Sequence, residues 1–178
     1  GQDIGRIAGI LDHNYNRVQN DSAACFGFFE CVNEPPVSAA LFEAVYGWAR
    51  LKGLQRVIGP VNPTTNDECG LLVDGFDSPP AFMMTYNPRY YAELLAAEGF
   101  VKAKDLLAYW IDLANNPMDR LGRIADKCRR RSPELTFRPV RRKTLTADLA
   151  KFKEIYNEAW EENWGFVPMT DAEINFMA

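Results

Sequence analysis

The stretch ACFGFFECVNEPPVSAALFEAVYGWARLKGLQRVIGPV, residues 24–61, decides the fold. Residues 24–32 form an apolar run that is rich in Phe and too short for a typical helix, so we predict a buried strand. Apolar residues recur at spacings of four and three over 37–53, which predicts a helix capped by Gly53. Residues 55–61 return as a strand. Strand, helix and strand with short connections form a βαβ unit, whose two strands lie parallel.

The rest of the chain continues this alternation. The polar segment DHNYNRVQND (12–21) predicts a turn region, and Thr170 and Glu173 have the spacing of a capping box that starts a last helix. Periodicity predicts strands within 4–11, 100–113 and 135–140, and helices over 90–98, from Asn116-Pro117 to Cys128, and over 149–164. We therefore predict an α/β fold, layered as α+β, with a mixed central sheet flanked by helices.

Composition excludes several classes of protein. A chain of 178 residues with 47% hydrophobic residues can bury a core, and a net charge of −4 argues against general polyanion binding. No apolar run approaches membrane-spanning length, so we expect no membrane association. The four Cys form no CxxC pair and His13 is the only histidine, so we expect no metal. Reduced thiols of this kind fit a cytoplasmic protein.

Two further stretches carry a resemblance to a known family. They are YYAELLAAEGFVKAKDLLAYWIDL (90–113), in which a helix ends at Gly-Phe, and NEAWEENWGFVPMT (157–170). With the order of elements, they make the chain resemble the GNAT superfamily of acyl-CoA-dependent N-acyltransferases, in particular bacterial acetyltransferases with two GNAT domains in tandem. The resemblance implies that 1–113 is the later part of one domain, 114–135 a basic linker helix, and 136–178 the opening of a second unit.

The resemblance also has a consequence for assembly. It implies a fragment that starts inside one domain and stops inside the next. We then expect the segment 137–178, from this chain or from a neighbouring copy, to dock on the first domain. Docking from a neighbouring copy would make a homodimer by segment exchange.

The resemblance implies acyl transfer from acetyl-CoA or another acyl-CoA, as co-substrate, to an amine. The residues that it assigns to the coenzyme are Cys31, Val32, Asn33, Val37 and Ser38. Family members usually have a Gly-rich turn here, whose N–H groups bind the diphosphate. This chain has VNEPPVSAAL (32–41), in which Gly is absent, Glu34 repels phosphate, and two prolines lack N–H donors.

In the family, a carboxylate deprotonates the acceptor amine. Strict alternation along 24–32 would place Glu30 in an apolar row with Phe26, Phe28 and Val32. An unpaired carboxylate in such a row holds a proton tightly enough to act as a base. The alternative is that Glu30 forms a salt bridge with an Arg and only holds the sheet.

A Tyr of the family protonates the leaving thiolate, and here Leu95 occupies the position of that Tyr. Tyr90 or Tyr91, about one helical turn earlier, is therefore the candidate acid. The alternative is that both tyrosines pack as amphipathic side chains with a solvated hydroxyl.

The connection GPVNPTTNDECGLLVDGFDSPP (59–80) is long for a compact domain, and in the family this region borders the thioester. We predict that it is an ordered lip on the acceptor side, where a small-molecule amine or another polar acceptor binds. The candidate acceptor-binding residues are Asn62, Asn66, Asp67, Glu68 and, beyond the loop, Tyr86. The alternative is that the Asn and Asp side chains satisfy the loop's own backbone through Asx turns.

Two other function classes stay open. Ten of the 20 basic residues lie within 120–143, and a tandem-GNAT chain with such a strip resembles the Fem-type transferases, which take aminoacyl groups from tRNA. The strip lacks interleaved aromatics for base stacking, so a solvated helix face between domains is favoured over nucleic-acid binding. A degenerate, non-catalytic GNAT scaffold is the other class, favoured by the missing Gly-rich turn and by Leu95.

Overall fold

The computed structural model describes residues 1–112, 114 and 118–177. The chain divides into two compact units: the first comprises Gly1–Lys104 together with Lys153–Ala178, and the second is Asp105–Phe152. The residues from Lys153 onward belong to the first unit, and the domain boundaries that the resemblance implies after residues 113 and 135 stay a prediction.

A three-stranded mixed sheet forms the centre of the first unit. Its strands are β1 (Gly5–Ile10), β2 (Ala23–Cys31) and β3 (Arg56–Ile58), in the order β1-β2-β3. The first pair is antiparallel and the second is parallel, with α2 (Pro35–Leu51) as the crossover. This pairing confirms the predicted βαβ unit. Gly53 has a φ of +72°, the left-handed conformation that favours glycine just past the end of a helix.

The turn region predicted for 12–21 is wrong, because this segment contains the helix α1 (His13–Val18). The carboxylate Oδ1 of Asp12 accepts a hydrogen bond from the Tyr15 N–H at 2.9 Å, as an N-cap does. Asp is favoured both in turns and at helix N-termini, so the residue type alone did not decide between them.

The predicted strand 55–61 is also shorter than expected. The chain leaves the sheet after Ile58 and then forms a two-residue strand, β4 (Val61–Asn62), which pairs antiparallel with β5 (Glu68–Cys69). Further along, α3 (Tyr91–Ala97) matches the predicted helix, and Gly99 follows it with a φ of +85°.

Aromatic side chains dominate the core of the first unit. Helices α2 and α3 pack against the face of β2 that carries Phe26 and Phe29. The ring centroids of Phe26 and Phe42 lie 5.0 Å apart, edge to face. The buried members of this core are Phe26, Phe29, Cys31, Phe42, Val45, Tyr91, Leu94 and Leu95. This packing makes the sheet and its two helices one rigid support for the end of β2.

The C-terminal part of the first unit docks through backbone carbonyl groups. The carbonyls of residues 165–168 accept hydrogen bonds from the side chains of Thr65, Gln19, Asn66 and Asn14, respectively. The predicted capping box at Thr170 and Glu173 is confirmed: the Thr170 N–H donates to Glu173 Oε2 at 2.6 Å, and the Glu173 N–H donates to Thr170 Oγ1 at 3.3 Å. It opens α6 (Asp171–Met177).

The regular elements that the structure describes in the second unit are helices. It holds α4 (Met118–Arg131), a short 3-10 helix (Arg142–Thr144) and the first half of α5 (Leu145–Trp160). The strands predicted within 100–113 and 135–140 are wrong for the described residues, since 100–112 and 135–140 contain no strand. A strand needs a neighbouring ladder, and these segments have none. Leu113 and the predicted helix start at Asn116-Pro117 lie outside the described residues.

None of the helices in the described ranges combines the length and apolar character needed to cross a bilayer.

Candidate active site

A β-bulge in β2 determines which of its side chains reach solvent. β1 places Ile7 alone opposite Phe28 and Phe29, and Phe28 has a φ of +49°. The extra residue turns Phe26 and Phe29 together into the core, while Phe28 and Glu30 are exposed. The expectation that Phe26 lies on the same face as Phe28 and Glu30 is therefore wrong, because it assumed unbroken alternation.

Glu30 stands at the exposed end of β2 with two partners. Its Oε2 accepts a hydrogen bond from the Tyr91 hydroxyl at 2.7 Å, and its Oε1 lies 3.7 Å from an Arg6 guanidinium nitrogen. Arg6 faces Glu30 across the β1–β2 pair. The carboxylate side chain is 60% exposed, so the ion pair is weakened by solvent and the carboxylate stays accessible to a ligand.

Arg6 was not among the predicted site residues. The residue was visible in the predicted strand 4–11, but the register that places it opposite Glu30 was not. Opposite charges on facing residues are a usual cross-strand pair, so a known register would have identified it.

Tyr91 anchors this carboxylate from the core side. Its ring is buried on α3, and its hydroxyl accepts a hydrogen bond from the Cys31 N–H at 3.1 Å while it donates to Glu30. Burial raises the pKa of Tyr91, and the hydrogen bond to the Glu30 carboxylate raises this pKa further. The phenol therefore stays protonated at neutral pH and remains a donor to Glu30.

Tyr90 is fixed to the same strand end. Its hydroxyl donates to the Cys31 carbonyl at 2.8 Å. The two adjacent tyrosines therefore bind the backbone N–H and the backbone carbonyl of the same residue, Cys31. The structure thus brings together four of the predicted site residues: Glu30, Cys31, Tyr90 and Tyr91. Both tyrosine hydroxyls are engaged with β2.

Asn62 joins this region from the long connection. Its Oδ1 accepts a hydrogen bond from the N–H of Phe28 at 2.7 Å, at the bulge. The approach is close: a Cβ on Gly27 would lie 1.9 Å from the Val61 carbonyl oxygen, so only glycine permits it. Asn62 thereby closes the gap between β2 and β3 where the pairing of these strands ends.

The other predicted acceptor residues have different surroundings. Asn66 Nδ2 donates to the Val167 carbonyl at 3.1 Å, and Asp67 Oδ2 accepts from Thr64 Oγ1 at 3.0 Å. Glu68 is exposed on β5, and Tyr86 is 56% exposed. Among the described residues, no hydrogen bond or ion pair joins these four to Glu30. Asn66 and Asp67 shape the loop and its docking, whereas Glu68 and Tyr86 are accessible from solvent.

The start of α2 does not provide the expected diphosphate cradle. Pro35 and Pro36 have no N–H group, and the N–H groups of Val37 and Ser38 donate to the Glu34 carbonyl at 2.9 and 3.3 Å. The first turn of α2 therefore offers no free backbone donor to an anion. The hydroxyl of Ser38 is fully buried without a hydrogen-bond partner, so it faces protein and not ligand. These residues do not fit a bound diphosphate.

The remaining two residues assigned to the coenzyme lie between β2 and α2. The Val32 N–H donates to the Ile4 carbonyl at 3.0 Å, and Val32 and Asn33 are exposed. In the part of the chain that the structure describes, no group of three or more His, Cys, Asp and Glu could hold a metal ion.

Comparison with known proteins identifies two curated proteins that are similar to this chain. The chain is 34% identical to Protein YghO of Escherichia coli over 180 residues, which is 99% of this chain and 45% of that protein. It is 33% identical to a bacterial ceramide synthase of Caulobacter vibrioides over 184 residues, which is 100% of this chain and 46% of that protein. The chain thus spans less than half the length of these curated relatives. No family model matches it, and no solved structure does.

Proposed function

We propose that this chain takes part in N-acyl transfer, in which an acyl thioester and a long-chain amine form an amide. The observation that carries the proposal is the accessible Glu30 carboxylate, held in place by the buried Tyr91 at the end of β2. The ceramide synthase relative is the second support. A ceramide is an amide of a long-chain amino alcohol, so its synthesis from an acyl thioester needs a base for the amine.

The GNAT architecture is part of this proposal. The parallel βαβ unit and a helix that ends at Gly99-Phe100 support it. In the described residues the four cysteines are free, which supports a cytoplasmic site of action. An acyl-CoA is the proposed acyl donor. The mechanism assigns no contact between its diphosphate and α2, because the first turn of α2 offers no free N–H donor.

Glu30 acts as the base in this mechanism. An aliphatic amine is protonated at neutral pH, with a pKa of about 10, and must lose a proton before it attacks. Glu30 accepts that proton, directly or through one water molecule. The neutral amine nitrogen then bonds to the thioester carbonyl carbon and the carbon–sulfur bond breaks. The nitrogen loses its second proton as the amide forms, and that proton passes through water to the leaving thiolate, which becomes the free thiol.

The two tyrosines position this base. Both hydroxyls are bonded to the end of β2, so neither is free to protonate a thiolate in this arrangement. Tyr91 fixes one carboxylate oxygen. The other oxygen lies 3.7 Å from an Arg6 guanidinium nitrogen in a solvent-exposed ion pair, and it is the one that meets the amine or the bridging water. Thus Tyr91 acts through Glu30, in place of the acid role that the family resemblance implies.

A direct assay tests the proposal. The chain is incubated with palmitoyl-CoA and a long-chain amino alcohol, and the amide and the free thiol are measured by mass spectrometry. We expect product, and a loss of kcat of about 10²–10⁴-fold in Glu30→Gln. Glu43→Gln is the matched control, because Glu43 is a similarly exposed carboxylate that pairs with Arg50 on α2. If product forms and Glu30→Gln has no effect on kcat, Glu30 is not the base, although the chain still catalyses the acyl transfer.

The alternative is a non-catalytic scaffold. It is favoured by the first turn of α2, whose N–H groups are either absent or already hydrogen-bonded. It predicts no amide from any amine and no binding of palmitoyl-CoA by calorimetry. Such a result would refute the proposed function.

A further inference from the structure

Helix α4 of the second unit has two sharply separated faces. At about 100° per residue, its apolar side chains fall within one arc of about 120°. They are Met118, Leu121, Ile124, Ala125 and Cys128, and we call them the apolar stripe. No charged residue falls inside this arc. The rest of the helix carries six basic residues against two acidic ones.

The apolar stripe is uncovered in the second unit. Met118 is 60% exposed, and Leu121 and Ile124 are each 50% exposed. Across the described residues of Asp105–Phe152, no side chain is buried. A helix whose apolar face is solvated gains little from folding, since most helical stability comes from packing that face. The stripe is therefore available to a binding partner.

Basic side chains border the stripe on both sides. Arg131 lies next to Ile124 on one side of the helical projection, and Arg129 lies next to Met118 on the other. Arg129 also pairs with Asp126 at 3.0 Å and lies over the ring of Phe137 at 5.5 Å. The remaining basic residues form the back of the helix, and they are Arg120, Arg123, Lys127 and Arg130.

Other exposed apolar groups occur in the same unit. Trp110 is 94% exposed and Tyr109 is 81% exposed, before α4; Phe137 and Val140 are exposed after it. Trp and Tyr have an apolar ring with a polar group, which suits the boundary between hydrocarbon and headgroups.

We propose that α4 binds the surface of an anionic lipid bilayer, lying in the plane of the interface with its apolar stripe among the acyl chains. Charge complementarity and amphipathicity together favour this partner. A bilayer uses the stripe and, at the same time, the bordering arginines, whose apolar stems extend along the surface while their guanidinium groups reach the phosphates. A nucleic acid would contact the basic back and leave the stripe exposed.

This inference is independent of the proposed acyl transfer and departs from the expectation of no membrane association. That expectation came from the absence of a membrane-spanning run, whereas an interfacial helix needs only a stripe.

Flotation of the chain with vesicles tests the inference. The vesicles contain equal parts of phosphatidylglycerol and phosphatidylcholine, with pure phosphatidylcholine as the neutral reference. We expect binding to the anionic vesicles that weakens as salt is added, because surface charges are screened. The double variant Arg129→Gln with Arg131→Gln, which removes the two bordering arginines, should bind about thirtyfold more weakly, because each basic residue contributes a factor of about five to six. Gln is a good helix former, so this variant keeps the helix.

A second double variant, Leu121→Glu with Ile124→Glu, should abolish flotation. Leu51→Glu is the matched control, because Leu51 is 88% exposed on α2, and it should float like the unchanged chain. Circular dichroism shows whether each variant retains its helix. Equal binding to neutral vesicles, or no binding to anionic ones, overturns the inference.

Two other results would also overturn it. Retained flotation by the Leu121→Glu, Ile124→Glu variant together with arginine-dependent tRNA binding would make α4 a nucleic-acid surface. Self-association of the unchanged chain that this variant abolishes, without vesicle binding, would make the stripe a contact between copies.

Discussion

The substitution Tyr91→Phe removes one hydroxyl and leaves the ring in the core. That hydroxyl is bonded to two groups of β2, the Cys31 N–H at 3.1 Å and the Glu30 carboxylate at 2.7 Å. The two bonds differ in what their loss costs. Cys31 is buried, so its N–H would have no replacement partner, whereas the exposed carboxylate of Glu30 can bind water.

The magnitude follows from the buried group. Leaving a buried N–H unsatisfied costs about 1–3 kcal/mol, and we expect the free energy of unfolding to fall by that amount. In a protein of this size each kcal/mol lowers Tm by about 2–4 °C. Thermal and urea unfolding measure the change. Tyr109→Phe is the control, because Tyr109 is 81% exposed and the loss of its solvated hydroxyl leaves no buried group without a hydrogen-bond partner.

The alkaline pH dependence gives a second signature. The pKa of Tyr91 is raised in the folded chain, chiefly by burial and then by the hydrogen bond to Glu30. In the unfolded chain a tyrosine loses its proton at about pH 10. The folded state therefore holds this proton more tightly, so stability is unaffected below about pH 10 and falls as the pH rises above it. The fall should be shallower in Tyr91→Phe, although not absent, because burial also raises the pKa of Tyr46.

Two outcomes would refute this reasoning. A loss of less than about 0.5 kcal/mol would mean that the Cys31 N–H finds another acceptor. An unchanged slope above pH 10 would mean that Tyr91 is solvated in the folded chain.

Two other predictions concern single polar groups. Ser38→Ala should leave the free energy of unfolding unchanged or raise it by about 1 kcal/mol, because the buried hydroxyl has no partner to lose; a clear loss in urea unfolding would show that it has one. Hydrogen bonds from Arg138 and Thr144 lower the pKa of Asp148 to about 2, so its stabilising effect is complete above about pH 4 and is lost as the pH falls toward 2. Carboxyl NMR should give that midpoint, and Arg138→Gln should move it toward about 3.9; an unmoved midpoint would contradict the assignment.

The parts of the fold that were predictable from sequence are those that local signals specify. The βαβ unit follows from two apolar runs and one helical period, and the parallel pairing of β2 with β3 confirms it. The capping box at Thr170 and Glu173 is likewise a local pattern with a local hydrogen-bond geometry. The lack of backbone donors in the turn before α2 was likewise readable from sequence, because proline lacks an N–H group in any context.

The geometry around Glu30 depends on information that is not local. Residue types suggested a carboxylate and two tyrosines, but the bulge at Phe28 decides which face of β2 carries Glu30. The register with β1 decides that Arg6 stands opposite it. A one-residue change of register exchanges the two faces of a strand, so no pattern within β2 alone could fix this.

The second unit shows the same limit in another form. Periodicity in 100–113 and 135–140 indicates apolar faces, but a face becomes a strand only when a neighbouring strand takes up its N–H and carbonyl groups. The apolar stripe of α4 formed its predicted helix because helical hydrogen bonds are internal to the segment, yet its partner is not encoded in the pattern. The basic residues along both edges of the stripe carry information about the partner that periodicity does not. They favour a surface with phosphate groups, such as an anionic bilayer, over a partner that offers only another apolar face. The vesicle experiment therefore decides what α4 binds.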